Sequence, residues 1–137
     1  MRSLPWLRTG LWFLAVTEVG TGIVQLFLPR WFYDTRWLSL LPPFNEHLMR
    51  DVGALNLGIA VVLCAAAVTG ERRLSRVALL AYLAFAVPHF VFHATHLHHY
   101  GLADAVGQTS ALAVAVVIPA GLLLLAARRG PRDAEAP

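Results

Sequence analysis

Four apolar runs, at 7–28, 48–69, 74–95 and 105–127, fill most of the 137 residues. Each is close to the roughly 20 residues that a helix needs to cross a ~30 Å hydrocarbon layer. A backbone in hydrocarbon must satisfy its own hydrogen bonds, so the runs predict helices and the chain reads as an all-α integral membrane four-helix bundle. Apolar side chains make up 58% of the sequence and charged ones 14%. Soluble domains carry roughly 45–50% and about 25%, and a core of this size cannot bury the excess. These figures exclude a disordered chain, a nucleic-acid-binding domain and a soluble enzyme. The net charge of +3 does not bring nucleic acid back as a partner, because the arginines stand at the ends of the apolar runs, where they set orientation. The single cysteine, Cys64, excludes an internal disulfide or a CxxC motif and reads as a small packing residue.

Arg2, Arg8, Arg72, Arg73, Arg76, Arg128, Arg129 and Arg132 flank one end of the spans, and Arg30, Arg36 and Arg50 the other. The positive-inside rule then places both termini in the cytoplasm. Glu18 interrupts the first run and no A-x-A site follows, so that run reads as a retained span rather than a signal peptide. One domain covers 1–129, and the polar tail 130–137 is expected to be disordered. The first connection holds Trp31, Phe32, Tyr33 and Trp37, which suits a short amphipathic segment in the headgroup layer, with a ligand-binding lid as the alternative. Gly101 is expected to stop the third span and Asp104 to cap or begin the fourth. Ala54 and Gly58, with Gly53 beside them, form a small-residue pattern that permits close helix approach, within the bundle or between protomers.

An ionisable residue at mid-bilayer costs at least ~2.5–3.5 kcal/mol, so such residues normally face a bundle interior and serve a function. Span 1 places Thr17, Glu18, Thr21, Gly22 and Gln25 on roughly one face; span 2 opens with Glu46, His47, Arg50 and Asp51 and carries Asn56 deeper. Span 3 has His89, His93 and His96 at i, i+4 and i+7, and span 4 has Asp104 and Gln108 at i, i+4. At ~1.5 Å per residue all of these fall in the outer half, above a cytoplasmic half of Leu, Val and Ala. If the faces converge, they form a polar funnel open to the outside. Asp51 and Asn56, about 140° apart on an ideal helix, cannot both point at one spot, and an Arg50–Asp51 ion pair at the interface is an alternative use of Asp51.

Two histidines at i, i+4 can hold one metal ion, with Glu18 or Asp51 completing the shell, which makes His89 and His93 candidate ligands for a divalent metal. Pro88 removes a backbone N–H and predicts a kink just below His89. A quinone headgroup could instead hydrogen-bond His89 or His93 with its tail among Phe85, Phe90 and Phe92, while a carboxylate manages protons. Haem would need a second deep histidine, which a monomer lacks. On these readings Glu18 and His89 are the candidate catalytic pair, and Gln25, Asp51, Asn56, His93 and Gln108 line the ligand site. An acid–base lipid isomerase or cyclase using Glu18 and His89 is one alternative. Another is a non-enzymatic accessory or scaffold subunit of a membrane complex, with partner chains or a second copy docking on it.

The segments FNEHLMRDVGALNLGIAVV (44–62) and AYLAFAVPHFVFHATHLHHYGLADA (81–105) resemble small four-helix membrane proteins of high-GC bacteria. In size, topology and the polar start of span 2, the chain is similar to the DoxX-like superfamily. The resemblance implies a bacterial cytoplasmic membrane protein and, through members that serve thiosulfate:quinone oxidoreduction, a quinone as ligand. It assigns no residue a role.

Overall fold

A computed structural model describes residues 5–41 and 43–127. The tail 130–137 and its expected disorder, together with Arg2, Arg128, Arg129 and Arg132, lie outside the described residues. Within them the chain forms five helices and no strand: α1 Pro5–Phe27, α2 Pro29–Tyr33, α3 Glu46–Thr69, α4 Arg72–Thr95 and α5 Leu102–Ala127, with a 3-10 turn at Leu38–Leu40. All but α2 are long and apolar enough to cross a membrane, which points to a membrane protein. Large apolar side chains such as Trp12, Phe13, Val61, Leu80, Val117 and Leu124 face outward, as a lipid solvent would require.

Local signals set the helix ends. The Asn45 side chain accepts the Leu48 N–H at 3.0 Å and opens α3. Gly70 closes it in the left-handed region (φ 65°), donating its N–H to the Ala66 carbonyl at 2.9 Å, so α4 can begin two residues later. Arginines finish two other helices. Arg50 donates to the Leu26 carbonyl at the end of α1, and Arg76 donates to the Ala126 and Ala127 carbonyls at the end of α5, at 2.8 and 3.3 Å. Arg50 therefore does not pair with Asp51. It pairs with Glu46 at 2.7 Å, one helical turn away, while Asp51 lies 3.3 Å from His47. Gly101 is not the stop of α4, which ends at Thr95; it sits immediately before α5 and its carbonyl accepts the Ala105 N–H. Helix α4 runs through Pro88 as one element.

The helices associate as two pairs. α1 packs along α3 and α4 along α5, and thinner seams join α3 to α4 and α1 to α5. The closest approach in the first pair is glycine on glycine. A Cβ on Gly53 would lie 2.7 Å from the Leu26 nitrogen and 2.9 Å from the Gly22 carbonyl, so only two hydrogens let these backbones meet. The Ala54/Gly58 pattern does not do this work: both residues are exposed, and a Cβ on Gly58 would meet nothing within 4 Å. The apolar core, from Leu7, Leu11 and Leu14 through Leu63, Ala78 and Leu79 to Leu122 and Ala126, occupies the half of the bundle that holds the start of α1 and the end of α5. The other half, nearer the two long connections, holds the buried amides.

Candidate functional site

Side chains on an α-helix lean toward its N-terminus, so residues on antiparallel neighbours reach toward each other when one lies a turn above the other. Gln25 and Asn56 meet in this way beside the Gly22–Gly53 contact. The Asn56 amide donates to Gln25 Oε1 at 2.9 Å, and both residues are buried. Asn56 Oδ1 is buried with no hydrogen-bond partner. Glu18 lies two turns below Gln25 on the same buried face, 7% exposed, with Oε2 also unpartnered. The titratable group in electrostatic contact with it is the buried Tyr82 of α4.

A second polar group belongs to α4 and α5. The buried Gln108 amide bonds His93 Nδ1 at 3.0 Å and donates to the Tyr100 hydroxyl at 2.9 Å. Tyr100 in turn donates to the Trp37 carbonyl at 3.1 Å. The Trp37 indole N–H donates to Asp104 at 3.3 Å, and Arg36 forms an ion pair with the same carboxylate oxygen at 2.6 Å. Asp104 thus sits in the first turn of α5 as expected, but its carboxylate fastens the first connection down rather than capping the helix. Trp37 lies over Gly107, where a Cβ would be 3.0 Å from the indole ring. Burial pushes the Tyr100 phenol up; the Gln108 hydrogen bond opposes this and the Asp104 charge adds to it.

The expected funnel is therefore divided. Gln25 and Asn56 bond each other within the first pair, and His93 and Gln108 do so within the second, with Asn56 Oδ1 and Gln108 Oε1 left unpartnered. Asp51 is exposed at the rim of α3, on the side away from Asn56 that its angular offset required. His89 touches Phe85 and His93, with ring centroids 5.2 and 4.5 Å apart. No hydrogen bond or ion pair joins Glu18 to either histidine among the described residues. Neither do three His, Cys, Asp or Glu side chains gather anywhere among them to hold a metal ion, so the carboxylate expected to complete a shell around His89 and His93 is elsewhere.

His89 instead lines a groove of about 560 Å³ in the seam between the pairs. Leu55 and Ile59 of α3 form one wall, and Ala81, Ala84, Phe85 and Pro88 of α4 the other. Leu55, Ala81, Ala84 and Pro88 are exposed, so the groove opens sideways on the apolar surface of the bundle. Glu18, Gln25, Asp51, Asn56, His93 and Gln108 do not line it. Tyr82 and Tyr100 join these polar groups without being marked as site residues by the sequence, where their one signal is helical spacing from the histidines. Arg36 and Trp37 were read only as a topology charge and a belt aromatic, and nothing in the sequence pairs them with Asp104. No family model matches the chain, and neither a curated protein nor a solved structure matches it significantly.

Proposed function

We propose that the chain is a multi-pass protein of a bacterial cytoplasmic membrane, both termini cytoplasmic, that binds an apolar-tailed ligand in the α3/α4 groove and takes part in redox or proton transfer. A quinone is the ligand of choice, and the DoxX-like resemblance favours it. The observation that carries this reading is a sideways-opening apolar groove whose one polar side chain is His89. Its volume lies in the range of small-molecule sites, and such sites are mostly apolar with a few placed polar groups. A quinone, when bound, supplies two-electron, two-proton chemistry. The chain's own part is narrower. His89 offers a nitrogen to a headgroup oxygen, Phe85 stacks against the imidazole, and His93, held by Gln108, closes the far side. Glu18 stands apart from the groove and is left out of this contact set.

Titration of the detergent-purified protein with decylubiquinone, a short-tailed quinone, tests the reading. The wild type should bind it saturably. His89→Ala should weaken binding about tenfold, the worth of one buried hydrogen bond, and Ala84→Trp should abolish it by filling the groove. Unchanged affinity in both variants would remove the site. An accessory or scaffold role is the second reading. The two interhelical pairs, Gln25–Asn56 and His93–Gln108, favour it because hydrogen bonds between helices give these side chains a structural use, with Asn56 Oδ1 and Gln108 Oε1 as the atoms left unpartnered. Absence of quinone binding in the wild type would leave that reading in place.

A further inference from the structure

A second cavity, of about 460 Å³, lies where α1 ends and α2 and α3 begin. Its apolar side is outward-facing: Phe27, Leu28 and Trp31 are 65%, 55% and 65% exposed. Its polar side holds Arg30, Arg50 and Glu46. Each guanidinium nitrogen of Arg50 already has a partner, on Glu46 or the Leu26 carbonyl, so Arg50 serves as a fixed wall. Arg30 is not so engaged. Its Nε bonds Asp34 at 3.1 Å and its guanidinium lies 5.2 Å from the Phe44 ring, while the rest of its donors point out from a side chain that is 67% exposed. Glu46 receives Arg50 on Oε1 alone, which leaves its second oxygen as an acceptor.

Two cations and two carboxylates, Arg30 and Arg50 against Asp34 and Glu46, leave this corner with no net charge, so it does not single out an anionic lipid. It offers a separated pair of opposite charges beside apolar surface at the level where a span meets the headgroup layer. We propose that this cavity binds an aminophospholipid: the phosphodiester on Arg30, the primary ammonium on Glu46, and the acyl chains along Phe27, Leu28 and Trp31. Choline has no N–H to give a carboxylate, which separates a primary amine headgroup from a trimethylated one. The site is distinct from the α3/α4 groove and does not rest on the quinone reading.

Native mass spectrometry of the intact protein in mixed micelles tests it, with phosphatidylethanolamine, phosphatidylcholine and phosphatidylglycerol of one acyl composition offered in turn. Phosphatidylethanolamine should be retained about fivefold over the other two, in the range of a partly exposed charged hydrogen bond. Arg30→Ala, an exposed change that leaves the helices intact by circular dichroism, should lower retention of phosphatidylethanolamine and phosphatidylcholine alike. Glu46→Gln should erase only the difference between them. Equal retention of all three lipids, preference for phosphatidylglycerol, displacement by inorganic phosphate alone, or unaltered retention in Arg30→Ala would each overturn the proposal.

Discussion

The Tyr100 proton joins α5 to the connection above it, because the hydroxyl takes a hydrogen bond from Gln108 and gives one to the Trp37 carbonyl. Its phenol is pushed up, chiefly by burial. A group whose folded pKa exceeds its unfolded value, about 10 for tyrosine, contributes stability that is complete below that value and lost as pH rises through the folded one. The melting temperature of the wild type should therefore carry an alkaline loss above pH about 10 that Tyr100→Phe lacks, the variant being less stable at neutral pH by about 1 kcal/mol. Identical alkaline profiles in the two proteins would assign the loss to another residue. Gln108, His93, Asn56 and Gln25 were legible in the sequence as amides and imidazoles too costly to leave facing lipid. Their partners were less so. Asp104 reaches Arg36 across 68 residues and Tyr100 reaches Trp37 across 63, contacts that depend on how the first connection folds back. Glu18 is separated from the histidines by level: its neighbour on α4 is Tyr82, two turns before His89 on the same face of that helix.

At the scale of helices, the contact between α1 and α3 depends on backbone approach, and the two glycines of α3 make opposite predictions. In Gly53→Ala the added methyl would meet the Leu26 nitrogen and Gly22 carbonyl, backbone atoms that cannot rotate away, so the variant should lose about 1–3 kcal/mol in reversible unfolding. Gly58→Ala meets open space and should be neutral or stabilising by up to ~1 kcal/mol, from helix propensity alone. Equal effects at the two positions would contradict the helix rotation described above. Reading 53–58 as a small-residue pattern found the right segment and the wrong face, because glycines at 53 and 58 stand about 140° apart and the sequence does not say which of them meets α1. Helix limits were read more closely. Each long helix begins two or three residues before its apolar run, since polar first-turn residues such as Glu46, Arg72, Arg73 and Asp104 belong to the helix while lying outside the hydrocarbon stretch.

For the molecule as a whole, Arg30, Arg36 and Arg50 at the connection end each face an acid, Asp34, Asp104 and Glu46. The proposed orientation counts arginines and not net charge, so these ion pairs leave the asymmetry on which it rests unchanged. Fluorescent-protein and alkaline-phosphatase fusions at either terminus should give a fluorescent and an inactive product respectively, and the reverse pattern at both ends would invert the topology. The number of spans, their limits and the dry half of the bundle were all legible as composition and periodicity, whereas the pairing of helices was not, since amphipathic faces of similar polarity can be matched in several ways. The pairing has a mechanical consequence. Two well-packed leaves are held together by thin seams, α3 on α4 and α1 on α5, with the left-handed turn at Gly70 as the lower binding and the Arg36–Asp104 clasp across the top. A wedge beside His89 would load the α3/α4 seam, so occupancy should be felt at the clasp, some distance from the wedge, as a change in the angle between the leaves.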